Sequence, residues 1–166
     1  MKRILALALV IITVAALLCA CGENTATVQT TVSTKYDDGY ASKYASSAKT
    51  DENGDKVYEF SGDQYDSYLE NHKNSLGVDM QAEIAANHDG NYGEYAYIND
   101  EKKAVIIGIH DGEYDEETAK TESAAAAEYG FKYFQNLETP VNAIKVLYVD
   151  ANDQEKIFGS FDYTAE

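Results

Sequence analysis

The chain is poor in several residue types on which whole classes of proteins depend. Arg3 is the only arginine, tryptophan is absent, Pro140 is the only proline, and both cysteines, Cys19 and Cys21, lie near the N-terminus. The rest of the chain therefore has no cysteine for a disulfide, a thiol nucleophile or a thiolate metal ligand. It also has no arginine to grip phosphate groups in the bidentate manner. With 29 acidic residues and a net charge of −16, it lacks the basic footprint of a nucleic-acid-binding protein, and nucleic acid is excluded as a partner.

The N-terminal segment has the parts of an export signal. A positive head, residues 1–3, precedes 15 residues without charge, Ile4 to Leu18. A charged head followed by an apolar run of this length is typical of a secretory signal peptide. Since a helix needs about 20 apolar residues to span a bilayer, the run is short for a permanent anchor. We predict a signal peptide over residues 1–20, with an uncleaved apolar anchor or a signal without lipid as the alternatives.

The end of this segment, Leu18-Cys19-Ala20-Cys21, resembles the lipobox of bacterial lipoproteins. The resemblance implies that a diacylglyceryl group is attached to Cys21 and that the chain is cut before it. Cys19 is a poorer candidate, because Leu18 is too large for the residue before the cut. The implied location is extracytoplasmic, anchored to a cell membrane by the lipid at Cys21, since two acyl chains suffice for stable anchoring.

After residue 20 the chain forms a short tether, 21–25, and one acidic domain, 26–166. Removal of the signal leaves 146 residues, with 11 lysines against 29 acidic residues and a net charge of −18. This length is enough for one domain with one hydrophobic core.

Hydrophobic periodicity predicts an α+β domain in the order β-α-β-α-β-β-α-β-β, in which helices pack against a mainly antiparallel sheet as a single layer pair. The predicted strands are 26–34, 56–60, 94–99, 104–109, 143–149 and 156–163. The predicted helices are 37–48, a helix that starts near Ser61 or Asp63 and breaks or bends at Gly77 before ending near 87, and a helix that Asp115 caps and Pro140 follows. For 37–48 a strand remains open, because the tyrosines there recur at even spacing.

Side-chain periodicity also predicts which faces are buried. On the second helix the apolar stripe consists of Tyr65, Leu69, His72 and Leu76. On the last helix it consists of Ala124, Ala127, Phe131 and Phe134. In the final hairpin one face of the last strand consists of Ile157, Gly159 and Phe161. We interpret His72 as a half-buried helix residue rather than a metal ligand.

One heptapeptide recurs: HDGNYGE at 88–94 and HDGEYDE at 110–116 share five of seven positions. Two histidines with neighbouring carboxylates, His88 with Asp89 and His110 with Asp111, are candidate metal ligands. The favoured interpretation is structural, because Asp-Gly forms turns and the histidine then closes the preceding element. We therefore predict no metal site.

The chain has 14 tyrosines, and four of them lie around this repeat: Tyr92, Tyr95, Tyr97 and Tyr114. Exposed tyrosines offer flat contact area and a hydroxyl group to a ligand. Alternation along the strand places Ala96 and Ile98 on its buried face and turns Tyr95 and Tyr97 outward. We predict that the four tyrosines form a ligand surface, and that replacing Tyr95 and Tyr97 by serine leaves the melting temperature nearly unchanged. The alternative is that tyrosine fills a half-exposed sheet face.

No catalytic, phosphate-binding or cofactor-binding motif is present in the sequence. The predicted function is a membrane-tethered, non-enzymatic binding or interaction domain whose ligand is neutral or cationic, because the acidic surface disfavours anions. The alternatives are a hydrolase or modifying enzyme that uses carboxylates, and a purely structural envelope lipoprotein.

Overall fold

A computed structural model describes residues 26–87 and 95–165. Within these residues the elements follow in this order: β1 (Thr27–Val32), a 3-10 turn (Tyr40–Lys43), β2 (Ser47–Thr50), β3 (Lys56–Ser61), α1 (Gly62–Asn87), β4 (Tyr95–Asn99), β5 (Ala104–Ile109), α2 (Glu116–Phe134), β6 (Ala143–Asp150) and β7 (Asp153–Thr164). The α+β class and the order of the predicted elements are confirmed. Among the described residues, no helix is long and apolar enough to cross a membrane.

The strands are divided between two mainly antiparallel sheets. The first has the order β1-β3-β2, and the second has the order β4-β5-β6-β7. Among the described strands only β5 and β6 run parallel, and α2 provides the long crossover that a parallel pair requires. β5 is one of the two inner strands of the second sheet and all six of its residues are buried, as its continuous apolar run predicted.

The segment predicted as a helix over 37–48 is reduced to the single 3-10 turn, and residues 47–50 form β2. The chain bends at Gly39, whose φ of 74° is left-handed. Beyond the turn, the Ser46 backbone N–H donates to the Glu59 carbonyl at 2.7 Å, and β2 pairs with β3. These partners lie far away in sequence, so local periodicity could not reveal them.

Helix α1 passes through Gly77 without interruption, so the predicted break there is wrong. A glycine in a helix interior costs about 1 kcal/mol relative to alanine. Here the helix packs beside β4, and a Cβ on Gly77 would lie 3.6 Å from the Ala96 carbonyl oxygen. At Gly77 the helix therefore lies directly against β4. The predicted stripe is confirmed at Tyr65, His72 and Leu76, which are buried.

Helix α2 begins as predicted, because the Asp115 carboxylate accepts a hydrogen bond from the Thr118 backbone N–H at 2.8 Å. Its buried face differs at one predicted position: Ala124 is exposed, and Ala126 is buried instead. The helix approaches the second sheet closely at Gly130. A Cβ there would lie 2.6 Å from Ile144 Cδ1 and 2.9 Å from Val105 Cγ2.

The β6–β7 hairpin forms as predicted, but the face assigned to Ile157 is wrong. Tyr148 pairs with Gly159 and Val149 pairs with Ile157, so Phe158 is an extra residue on β7. A β-bulge of this kind shifts the alternation of side chains by one position. Ile157 therefore turns to the opposite face and is 52% exposed, whereas Phe161 packs against the main core.

Candidate functional site

The outer face of the second sheet carries a small apolar patch, formed by Ala104, Ile106, Leu147 and Val149. Tyr95 and Tyr97 pack against this patch and are half-buried. Ile98 and Ala96 contact the main core on the other face of β4. The predicted alternation is therefore confirmed, but the two tyrosines cover apolar side chains and do not project freely into solvent.

Each of these tyrosines is held in place by a specific contact. The Tyr95 ring lies directly over Gly108, where a Cβ atom would overlap the ring. Tyr97 donates a hydrogen bond from its hydroxyl group to Gln154 Oε1 at 3.0 Å. The two rings are 6.0 Å apart. Their positions are set by the sheet beneath them, which is a favourable arrangement for a preformed binding surface.

A groove of about 1030 Å³ lies between α1 and β4, next to these tyrosines. Its lining is mostly apolar or small: Gly77, Val78, Ala82, Ala85, Tyr95, Ala96, Tyr97 and Ile98. Val78 is 69% exposed, although it is a large hydrophobic residue. At the end where β4 finishes, Lys73 forms an ion pair with Asp100 at 2.6 Å. The groove is thus mostly apolar, with one ion pair and the additional acidic residue Glu101 at its border.

Sequence reasoning missed Val78. It lies off the stripe that buries Tyr65, His72 and Leu76, and it follows Gly77, where a break in the helix was predicted. The available signal was an apolar, β-branched residue that helical spacing aligns with Ala82 and Ala85, on a face separate from the predicted stripe. Val78 becomes part of a candidate site only because β4 places Tyr95 and Tyr97 beside it in the groove.

Tyr114 lies on the other side of the second sheet. Its ring stacks on Phe158 at 5.8 Å and approaches Tyr148 at 6.0 Å, and both contacts belong to the side that faces the main core. The structure therefore brings Tyr95 and Tyr97 together and separates Tyr114 from them. Tyr92 lies outside the described residues, as does Cys21.

The second copy of the repeat forms a turn after β5, as the structural interpretation predicted. Gly112 has a left-handed φ of 91°. Lys156 Nζ lies 3.1 Å from the carboxylates of both Asp111 and Asp150. The Asn152 backbone N–H and then Lys156 hold the pKa of Asp150 below its usual range. A lysine ammonium thus sits between the two carboxylates.

The metal candidates of the repeat are only partly described. His88 and Asp89 lie outside the described residues, so the proposed meeting of the two histidines is not defined. Within residues 26–87 and 95–165, no group of three or more histidine, cysteine, aspartate or glutamate side chains is arranged to hold a metal ion.

His72 is fully buried, not half-buried as predicted. Its Nε2 atom lies 2.8 Å from Asp38 Oδ2, and its ring stacks on Tyr40 at 4.8 Å and on Tyr68 at 5.3 Å. Burial opposes ionisation of Asp38, but hydrogen bonds from His72 and the Tyr40 backbone prevail and hold the pKa of Asp38 below its usual range. His72 therefore joins α1 to the 3-10 turn.

A pair of carboxylates lies between the two helices, where Glu83 of α1 and Glu122 of α2 border one small cavity. Burial raises the pKa of Glu122 to about 7. Tyr129 donates a hydrogen bond to Glu83 at 2.6 Å. Such a pair is what a carboxylate-dependent enzyme requires. However, the cavity measures about 20 Å³, which is room for about one water molecule and not for a substrate.

Comparison of the chain with protein-family models, with curated proteins and with solved structures finds no significant match.

Proposed function

We propose that this protein is a membrane-tethered extracytoplasmic lipoprotein whose folded domain binds a partner through the groove between α1 and β4. The observation that carries the binding role is the groove itself. It combines a strongly exposed Val78 with two tyrosines whose rings are fixed by the sheet. Exposed apolar surface bordered by polar residues is typical of interaction sites. The tether is supported by the lipobox-like sequence that ends at Cys21.

The charge of the chain limits the partner to a neutral or cationic one. The protein carries a net charge of −16, and a field of that sign repels anions at ordinary ionic strength. Inside the groove, Lys73 and Asp100 neutralise each other and leave Glu101 as the remaining charge. The partner expected here offers apolar side chains for Val78 and the tyrosine rings, with neutral or basic residues around them.

The tether is tested at Cys21. We expect mass spectrometry of the native protein to show a chain that begins at an acylated Cys21. Cys21→Ala should remove the lipid and leave an unprocessed precursor, because the thiol that carries the acyl groups is gone. An unmodified Cys21 in the native protein, or a mature chain that begins elsewhere, contradicts the proposed localisation.

The groove is tested by Val78→Gln in a crosslinking capture from intact cell envelopes. The substitution places an amide on the apolar trough, and we expect the captured partner to be reduced roughly tenfold, the usual cost of one well-placed apolar contact at an interface. The fold should be preserved, because Val78 is 69% exposed.

Ala86→Gln is the matched control, because Ala86 is exposed on the same helix but does not border the groove. The proposal requires a partner that the wild type and Ala86→Gln capture and that Val78→Gln loses. Equal capture by all three chains places binding elsewhere. If none of the three chains captures a partner, the result contradicts the binding role and favours the alternative of a purely structural envelope lipoprotein.

A further inference from the structure

A second cavity, of about 600 Å³, lies where the 3-10 turn, α1 and α2 meet. Asp38 comes from the segment just before the turn, Lys43 from the turn, Asp79 from α1 and Lys132 from α2. Two acidic and two basic side chains therefore border one space, although the chain as a whole is strongly acidic. Cavities of roughly 300–1,000 Å³ are large enough for small-molecule ligands.

The two lysines of this cavity are held on aromatic rings. Lys43 Nζ lies 4.2 Å from the centre of the Tyr40 ring, and Lys132 Nζ lies 5.0 Å from that of Tyr129. Among the described residues, neither ammonium has a carboxylate within ion-pairing distance. Cation–π contacts of this kind orient an ammonium without neutralising its charge. Both lysines therefore keep their hydrogen-bond donors available to an anionic group.

The base of the cavity is rigid. Tyr40 stacks on the buried His72, and His72 Nε2 lies 2.8 Å from the Asp38 carboxylate. The Tyr40 backbone N–H also donates to Asp38 at 2.9 Å. Asp38 is thus fixed in place while its side chain remains 27% exposed. Preorganised groups bind with less loss of conformational entropy than mobile ones.

We propose that this cavity binds a small zwitterion that carries both an ammonium and a carboxylate group, of the size of a dipeptide. A simple anion would meet Asp38 and Asp79, and a simple cation would meet Lys43 and Lys132. In a molecule with both charges, the ammonium group can bind to the two carboxylates and the carboxylate group to the two lysines. Flat sugars fit less well, because the aromatic rings are already covered by lysine ammonium groups and by His72. The inference does not rest on the partner proposed for the α1–β4 groove.

The test uses calorimetric titration of the full chain with L-alanyl-L-alanine, with its N-acetyl derivative and with its amide. We expect saturable binding of the free dipeptide and at least tenfold weaker binding of each derivative, because each lacks one charge. Lys132→Gln and Asp79→Asn should each weaken binding of the dipeptide by a similar factor. Equal binding of the three compounds, or no saturation by the dipeptide at 50-fold molar excess and beyond, overturns the proposal.

Lys120→Gln and Asp66→Asn serve as matched controls. Both residues are exposed, lie on α2 and α1 respectively, and do not border the cavity. They should bind the dipeptide as the wild type does, and equal losses in these controls would show a non-specific effect of charge and also overturn the proposal. Since none of the four substitutions is at a buried residue, circular dichroism should report the same fold for all of them.

Discussion

Tyr68→Ala should lower the free energy of unfolding by about 3–5 kcal/mol, the usual cost of deleting a large aromatic side chain from a core. Tyr68 is completely buried. Its ring contacts five others: Tyr40, Tyr44, Phe60, Tyr65 and His72. These neighbours come from the 3-10 turn and the residue after it, from β3 and from α1, so the cavity left by Tyr68 would loosen the first sheet from the helix. Because the free energy of unfolding of a small domain is only about 5–15 kcal/mol, Tyr68→Ala should lose a large part of it. Chemical denaturation measures the loss.

Tyr68→Phe is the informative partner of this variant. The Tyr68 hydroxyl is buried, and among the described residues it has no hydrogen-bond partner. Burial also raises the pKa of Tyr68 far above its usual value. Since an unsatisfied buried hydroxyl costs about 1–3 kcal/mol, its removal should leave stability unchanged or raise it by about 1 kcal/mol. A loss of more than about 1 kcal/mol in Tyr68→Phe would show that the hydroxyl is bonded after all.

Replacing both Tyr95 and Tyr97 by serine should lower the free energy of unfolding by about 2–4 kcal/mol, taking about 1–2 kcal/mol for each half-buried ring. The structure thus revises the expectation from sequence that this change leaves the melting temperature nearly unchanged. The two rings cover the patch around Ile106 and Leu147, and their removal exposes it to water. Thermal and denaturant unfolding of the double variant measure the effect.

The double variant with phenylalanine at both positions separates packing from hydrogen bonding. It keeps both rings and removes both hydroxyl groups, including the bond from Tyr97 to Gln154, which lies at an exposed position. We expect its stability to fall by less than about 1 kcal/mol, because exposed hydrogen bonds contribute little net free energy. If the serine variant is as stable as the phenylalanine variant, the tyrosines do not cover the sheet in solution and the sequence-based expectation was correct.

Local patterns predicted most of the elements of the fold. The continuous apolar run of β5, the 4-3-4 stripe of α1 and the Asp115 cap of α2 each depend on neighbours within one or two turns of chain. Such features are confirmed because the physics that creates them is local. The failures at 37–48, at Gly77 and at Ile157 share a different cause. Each involves a partner strand: β3 for residues 47–50, β4 beside Gly77, and β6 for the bulge at Phe158.

The candidate sites show the same division. Tyr95 and Tyr97 could be assigned to one face of β4 from period-two alternation alone. Tyr114 was grouped with them because it lies in the second copy of the repeat, but in the folded domain it packs on the other side of the sheet. Val78 gave only the signal of a small apolar face on α1, and the mixed-charge cavity gave none, because both sites combine residues of different elements.

By itself the sequence determined the acidic character of the domain, its α+β class, the faces of its most regular elements and, through the cysteine pattern, the hypothesis of a lipid anchor. These features follow from composition and from the spacing of apolar side chains, which recur every two residues in a strand and every 3.6 residues in a helix. Both can be recognised within a single segment of the chain. Only the tertiary structure decided that α1 lies beside the edge strand β4, that His72 is buried between Tyr40 and Tyr68, and that opposite charges meet in one cavity. The reason is physical: contacts between distant segments are selected by the packing of whole surfaces, and no single segment contains that information.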